Sequence, residues 1–96
     1  MAQREREIIK RALCSKGFIE KNNDHYFYKL VYNGKVTSIF TKLSKGSNYK
    51  TIQKKLLSLI SKQLKLTNQE LLDFIDCDIS GENYLNLLRQ RKYLQY

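Results

Sequence analysis

The chain of 96 residues contains no proline, no tryptophan and only four glycines. The glycines are scattered and match no glycine-rich phosphate loop, which excludes the common nucleotide-binding motifs. No internal repeat, low-complexity stretch or linker-like segment interrupts the sequence. We therefore expect residues 1–96 to form a single domain, long enough to bury a core without metals or disulfides.

Cysteine and histidine are also scarce. Cys14 and Cys77 stand far apart and outside any CxxC pattern, and His25 is the only histidine, so the sequence offers no cluster of metal ligands. We expect neither a metal nor a cofactor, and we interpret four carboxylates as helix-end and loop charges: Asp73, Asp76, Asp78 and Glu82. A single disulfide is one alternative for the cysteines. We expect instead two small apolar side chains in a reducing cytoplasm.

Long hydrophobic runs are absent as well. No stretch approaches the roughly 20 apolar residues that a membrane span requires. The first residues, MAQREREIIKR, are charged and contain no apolar run, so we see no signal peptide. We expect a soluble, cytoplasmic protein without a membrane partner.

Acidic side chains are missing between Asp24 and Glu70, although the chain as a whole has a net charge of +9. The intervening segment holds nine lysines: Lys29, Lys35, Lys42, Lys45, Lys50, Lys54, Lys55, Lys62 and Lys65. An ordinary solvated surface mixes charges of both signs, so this segregation indicates a surface that faces a polyanion. All nine basic residues are lysines and none is an arginine. This favours contact with phosphates over hydrogen bonding to base edges. A lysine-rich surface that serves solubility alone is the alternative.

A hairpin over residues 26–41 is the clearest structural signal. Asn33-Gly34 separates two runs rich in Tyr, Phe, Val, Ile and Thr, and it suits the two positive-φ positions of a type I′ turn. Closing the hairpin there pairs Tyr32 with Lys35. Alternation then assigns to one face Tyr26, Tyr28, Leu30, Tyr32, Thr37 and Ile39, and to the other Phe27, Lys29, Val31, Val36, Ser38 and Phe40.

Helical periodicity predicts a first helix over residues 4–16, ended by Gly17 at its C′ position. Its solvent face would carry Arg4, Arg6, Lys10 and Arg11. A second helix is predicted from residue 49 to about residue 63, capped by Ser47 or Asn48. Its apolar stripe would be Ile52, Leu56, Leu59, Ile60 and Leu64. This places Lys50 and Lys54 in the first turns, where free N–H groups and the helix dipole favour a phosphate.

The last thirty residues predict a pair of short helices. Thr67 and Glu70 form a capping box for one helix, and Ser80 caps the other. We expect this helical hairpin, residues 67–96, to pack within the chain over the hairpin face that contains Phe27 and Phe40. A homodimer contact is the alternative. With a short strand at residues 18–21, the predicted fold is α+β, a three-stranded antiparallel sheet packed by helices in the order α-β-β-β-α-α-α.

His25 stands at the start of the first hairpin strand and is the candidate catalytic residue. A histidine can take a proton from a ribose 2′-OH near neutral pH, which fits cleavage of RNA rather than DNA. Lysines nearby could hold the phosphate chain and neutralise charge on the phosphorane. Lys29, Tyr26 or water would have to supply the other half of an acid–base pair. A hydrogen-bonded structural histidine is the alternative.

Several short motifs in residues 4–65 occur together in one known family. A first helix ends in Lys16-Gly17-Phe18, a strand and a turn lead into His25, Tyr28 follows three residues later, and a basic helix completes the set. In these motifs the chain resembles the HicA toxins, ribosome-independent mRNA interferases with a double-stranded-RNA-binding-domain-like (dsRBD-like) fold. The family's histidine is catalytic, so the resemblance implies endoribonuclease activity for His25 and a cognate antitoxin. Asn23-Asp24 stands where that family has Gly-Ser or Gly-Thr.

The stretch KLSKGSNYKTIQKK, residues 42–55, is similar to the loop and helix start of a double-stranded-RNA-binding domain. In such domains a glycine-containing loop and lysines clamp phosphates across a groove. The similarity implies those roles for Lys45, Lys50 and Lys54.

The leading hypothesis is therefore a HicA-like RNA-binding protein that cleaves mRNA with His25. The lysines assigned to nucleic-acid binding are Lys29, Lys42, Lys45, Lys50, Lys54 and Lys55. One alternative is a non-catalytic module that grips RNA or DNA by its phosphates. The other is a protein-interaction or inhibitor module whose basic face covers an acidic partner.

Overall fold

The computed structural model describes residues 3–94. Within this range the elements are β1 (Arg4–Glu5), α1 (Arg6–Ser15), β2 (Phe18–Asn22), β3 (Tyr26–Tyr32), β4 (Lys35–Leu43), a 3₁₀ turn (Ser47–Tyr49), β5 (Thr51–Ile52), α2 (Lys54–Gln63), α3 (Asn68–Ile75) and α4 (Gly81–Gln90). The predicted α+β class is confirmed: a three-stranded antiparallel sheet is combined with four helices in the described chain. The prediction lacked the short strands β1 and β5, which pair with each other.

The three-stranded sheet has the order β2-β3-β4, with β3 in the centre. The predicted turn between β3 and β4 is confirmed, since Asn33 and Gly34 have φ values of 53° and 76°. Tyr32 pairs with Lys35, as expected. A local dipeptide therefore determines how the hairpin closes.

The register predicted from that turn holds only as far as Val31, because β4 contains a bulge. Lys29 pairs with Phe40, so residues 37–39 lie opposite Leu30 alone. The Thr37 hydroxyl donates to the Leu30 carbonyl (2.9 Å) and accepts from the Ile39 N–H (3.2 Å), which replaces ladder bonds at the bulge. Since two extra residues are inserted, the paired residues on either side of the bulge keep their predicted faces.

One face of the sheet forms the core with the helices. Tyr28, Leu30 and Ile39 are fully or almost fully buried against apolar residues of α1 and α2, including Leu13 and Ile60. The Tyr28 hydroxyl donates to Glu20, and burial with this contact raises the pKa of the tyrosine. The opposite face remains open.

The second helix begins at Lys54, five residues later than predicted. The Arg6 N–H donates to the Lys50 carbonyl (2.7 Å), and Ile52 pairs with Arg4 between β1 and β5. These long-range bonds hold the segment before Lys54 out of the helix, and Gln53 occupies the N-cap position. Leu57 is consequently buried, whereas Leu59, predicted to be in the apolar stripe, is 49% exposed.

Helix α1 begins at Arg6 because Arg4 and Glu5 belong to β1. The prediction that Arg6 faces solvent is wrong. Arg6 is buried, and its Nη1 donates to the carbonyls of Ser44 (2.7 Å) and Gly46 (3.1 Å). Gly17 follows the helix with φ of 100°, as the C′ prediction requires.

The two C-terminal helices begin where predicted. Thr67 and Glu70 form the capping box of α3, and Ser80 accepts a hydrogen bond from the Asn83 N–H at the start of α4. The helices pack within the chain, but not over the face containing Phe27 and Phe40. They contact the helical layer instead, because Phe74 and Tyr84 complete an apolar cluster with Phe18. Ring centroids in this cluster are 5.0–6.3 Å apart.

Both cysteines are free, as expected, but the prediction that they pack as apolar side chains is wrong. Cys14 and Cys77 are exposed. The Cys14 thiol is nevertheless partly buried, and this burial raises its pKa, with a smaller contribution from Glu20. Among the described residues, no helix has the length and apolar character needed to cross a membrane.

Candidate nucleic-acid interface

The uncovered side of the three-stranded sheet, termed the open sheet face, alternates lysine and aromatic side chains. It consists of Ile19, Lys21, Phe27, Lys29, Val31, Val36, Ser38, Phe40 and Lys42. Across the strands, Phe27 lies between Lys21 and Lys42, and Lys29 lies between Ile19 and Phe40. None of these described strand residues is acidic. Apolar rings and cations therefore occupy adjacent positions on one surface.

A groove of about 490 Å³ lies on the open sheet face. Its walls include Phe27, Phe40 and Lys29, and the β4 bulge contributes Thr37 and Ser38. Phe40 is 44% exposed, which is high for a phenylalanine in a strand. The bulge thus produces a concave, partly polar site on a surface that would otherwise be a regular sheet.

His25 lies at one end of the open sheet face, immediately before β3. Its ring centroid is 6.2 Å from that of Phe27, and its side chain is 34% exposed. Its Nδ1 lies 3.4 Å from a carboxylate oxygen of Asp24. The Asn23 N–H donates to the His25 carbonyl (3.1 Å), which closes the turn. The imidazole is accessible and close to a carboxylate that can orient it.

The lysines predicted to form one binding surface are divided between two sides of the protein. Lys29 and Lys42 lie on the open sheet face. Lys54 and Lys55 are exposed in the first turn of α2, which packs on the opposite side of the sheet. Thr41, on that opposite side, donates to Gln63 of α2 (2.6 Å).

The predicted phosphate site at the start of α2 is not assembled as expected. Lys50 precedes the helix and lines a small groove together with Glu5 and Glu7, so this groove also contains acidic residues. Gly46 and Ser47 begin the 3₁₀ turn, and the rest of that turn and β5 separate them in the chain from Gln53, the N-cap of α2. The positive end of the α2 dipole is therefore separated from the loop that was expected to cooperate with it.

Lys45 is brought to the His25 turn by a long-range contact. Its amine donates to the Asn23 carbonyl and lies 5.3 Å from the centre of the Tyr26 ring. The Lys10 Nζ lies 3.8 Å from the centre of the same ring, and the Arg6 Cζ lies 5.6 Å from it. The sequence placed Lys10 and Arg6 on a solvent face, and no local pattern signals their approach to Tyr26.

Tyr28, the aromatic residue shared with the HicA pattern, is buried in the core and does not reach the open sheet face. Lys21 was not among the predicted binding residues, since it precedes the acid-free segment in the sequence. Strand pairing brings it opposite Phe27. Phe27 and Phe40 were predicted on the correct face of the hairpin, but we expected the C-terminal helices to bury them.

Residues 3–94 contain no group of three or more His, Cys, Asp and Glu side chains that could hold a metal ion. Comparison with protein-family models, with curated proteins and with solved structures finds no match for this chain. The geometry of the open sheet face is accordingly the basis for a functional proposal.

Proposed function

We propose that this protein binds RNA through the open sheet face. The observation that supports it best is the alternation of Lys21, Lys29 and Lys42 with Phe27 and Phe40, without a carboxylate among the strand residues of that face. Lysine amines neutralise phosphates and release counterions, and aromatic rings accept bases by stacking. A protein with a net charge of +9 also attracts a polyanion over a distance.

The lysines of the dsRBD-like stretch support this proposal less. Lys45 is engaged by the Asn23 carbonyl, and Lys50 shares its groove with two glutamates. Lys54 and Lys55 remain exposed, but they lie on the side of the sheet that the helices cover. The open sheet face is therefore the main binding surface in our proposal, and the α2 lysines make at most peripheral phosphate contacts.

Removal of two open-face lysines tests the proposal. Lys29→Gln with Lys42→Gln is expected to weaken RNA binding and to reduce the slope of log K against log salt by about 1.4 in magnitude, because two phosphate contacts are lost. Fluorescence anisotropy with a labelled RNA at several salt concentrations measures both quantities.

The matched control, Lys54→Gln with Lys55→Gln, removes the same charge from the helical side. A larger loss of affinity in this control than in the open-face variant would contradict the proposal. Tight binding of an acidic protein together with no binding of RNA would favour the protein-interaction alternative.

Cleavage of the bound RNA by His25 is a second candidate function, favoured by the position of His25 beside Phe27 and Asp24. In this mechanism Asp24 accepts a hydrogen bond from Nδ1–H, which leaves Nε2 free to act as a base. Nε2 takes the proton of a ribose 2′-OH, the 2′-oxygen bonds to the adjacent phosphorus, and the bond to the 5′-oxygen breaks. The products are a 2′,3′-cyclic phosphate and a 5′-hydroxyl, which takes up a proton from water or a neighbouring acid.

Expression of the wild type beside His25→Ala tests this candidate, with growth and RNA integrity as readouts. We expect the substitution to reduce cleavage by at least about 100-fold and to leave RNA affinity unchanged. An all-deoxy strand should bind without being cleaved, because it lacks the 2′-OH. Equal RNA integrity with both proteins would eliminate His25 as a catalyst. In the HicA-like case, a cognate antitoxin would cover His25 and the open sheet face.

A further inference from the structure

The groove beside the β4 bulge is lined by two phenylalanines and by neutral polar residues. We infer that it binds an unpaired nucleobase between Phe27 and Phe40, so that the protein selects single-stranded over double-stranded RNA. This inference rests on the proposed RNA binding and specifies the form of RNA that is bound.

The two phenylalanines are neighbours on the surface of the sheet. Phe27 pairs with Lys42, and Phe40 lies two residues before Lys42 on the same strand. This diagonal relation puts their Cβ atoms about 7 Å apart. Both rings line the groove of about 490 Å³, which falls in the size range of sites for small organic ligands.

The bulge supplies the polar side of the groove. Thr37 and Ser38 line it, together with Asn23 from the turn before His25. The Thr37 hydroxyl is already used by Leu30 and Ile39. The Ser38 hydroxyl and the side-chain amide of Asn23 therefore provide the donors and acceptors that a base edge requires. A site built only for phosphates would not need this combination of rings and neutral polar groups.

Lysines beside the rings fit the phosphates that flank a stacked base. Lys21 and Lys29 line the groove, and Lys42 lies next to Phe27 across one strand spacing of about 4.8 Å. The strand positions of the open sheet face carry no acidic residue that would repel the backbone. Positive charge thus surrounds the aromatic site on two sides.

Duplex RNA does not satisfy this arrangement. Its bases are stacked on one another, and the deep, narrow major groove hides their edges from side chains. Short phenylalanine side chains on a strand do not extend far enough to enter it. Only an unpaired nucleotide can present its base to both rings while its phosphates meet the lysines.

Three labelled probes of equal length test the inference: a ten-nucleotide RNA, the same RNA annealed to its complement, and an abasic strand with the same phosphates. We expect the wild type to bind the single strand at least about fivefold more tightly than either of the others, because base stacking is lost in both. Phe40→Leu removes the ring but keeps an apolar side chain, and it should lower the affinity for the single strand to that for the abasic strand.

Tyr49→Leu is the matched control, since Tyr49 is an aromatic residue of similar exposure (46%) outside the open sheet face. Equal binding of the single and abasic strands by the wild type would overturn the inference while leaving phosphate binding intact. Tighter binding of the duplex would also overturn it. Failure to bind any of the three probes would instead eliminate the proposed function. The probe comparison needs no variant, so it decides the question even if Phe40→Leu fails to fold.

Discussion

Two basic side chains near the ends of α1, Arg6 and Lys16, are buried although helical periodicity or position would leave them in solvent. The Arg6 guanidinium donates to the carbonyls of Ser44 and Gly46, and the Lys16 amine donates to the carbonyl of Phe74. Buried charges require hydrogen-bond acceptors, and here the carbonyl acceptors belong to residues more than 35 positions away, although the Arg6 Nε has no hydrogen-bond partner among the described residues. The sequence does not reveal such partners, because no local pattern relates a basic residue to a distant carbonyl.

The helix-capping residues, in contrast, could be predicted from the sequence. Thr67, Glu70 and Ser80 were identified from the sequence because a cap involves residues only three positions apart. The surroundings of His25 could be predicted only in part. Its proximity to Asp24 follows from the sequence, whereas its position beside Phe27 and near the Lys45 loop depends on the packed sheet.

The ion pair between Glu70 and Arg91 leads to a prediction on the pH dependence of stability. The hydrogen bond from Arg91, reinforced by the Thr67 N–H, holds the pKa of Glu70 below its usual range. A lowered pKa in the folded state stabilises the protein above the unfolded-state pKa of about 4.3, and this contribution is lost as the pH falls through the folded-state value. Glu70→Gln keeps the acceptor for Thr67 but removes the charge.

We expect Glu70→Gln to lower the free energy of unfolding at pH 7 by about 0.5–1 kcal/mol, and the difference from the wild type to shrink as the pH falls below about 4.3. Urea denaturation at pH 7, 5 and 3 provides the measurement. Glu82→Gln, in the first turn of α4, serves as a control that lacks this ion pair. A difference that stays constant from pH 7 to pH 3 would show that the charge of Glu70 is not its origin.

At the level of elements, the β3–β4 hairpin shows what short-range sequence information can determine. The Asn33-Gly34 turn and the first pairs were predicted, because a two-residue turn fixes its own register. The bulge was not, since residues 37–39 contain neither glycine nor any other local signal for an insertion. The start of α2 was also predicted wrongly, because no local signal reveals that β5 pairs with β1. This pairing joins segments almost fifty residues apart.

Thr37 is the residue on which the bulge depends, because its hydroxyl bonds both Leu30 and Ile39. Thr37→Val has nearly the same shape but leaves a partly buried carbonyl and N–H unsatisfied, so we expect a loss of about 1–3 kcal/mol in the free energy of unfolding. Thr37→Ser retains the hydroxyl and should lose less. Chemical denaturation measures both variants. Equal stability of Thr37→Val and the wild type would mean that the backbone alone maintains the bulge.

On the scale of the whole molecule, the C-terminal helices are part of the core rather than an appendage. Leu71, Phe74, Tyr84 and Leu88 are fully buried in the same cluster as Leu13. The ion pair between Arg4 and Asp76 joins β1 to the end of α3, and the ion pair between Glu70 and Arg91 joins α3 to the end of α4. The sequence correctly predicted that the two C-terminal helices pack within the chain, but the predicted side of the sheet was wrong, since both sides of the hairpin carry apolar residues.

Truncation after Leu66 should therefore prevent folding. Removing the α3–α4 pair exposes Phe18, Leu13 and their neighbours, and the remaining chain would bury too little apolar surface to offset its conformational entropy. We expect residues 1–66 to show no cooperative thermal transition by circular dichroism. Tyr84→Ala in the full chain should lower the free energy of unfolding by about 3–5 kcal/mol. A folded, soluble 1–66 fragment would contradict the core role.

Strand β4 is one of the two edge strands of the three-stranded sheet. Its outer edge offers backbone donors and acceptors to any strand that could add to it. Such edges nucleate aggregation unless something interrupts them. In β4 the bulge breaks the regular spacing of these groups, and lysines at positions 35 and 42 repel a second copy at either end. The bulge that forms the groove should therefore also make the β4 edge a poor template for an added strand.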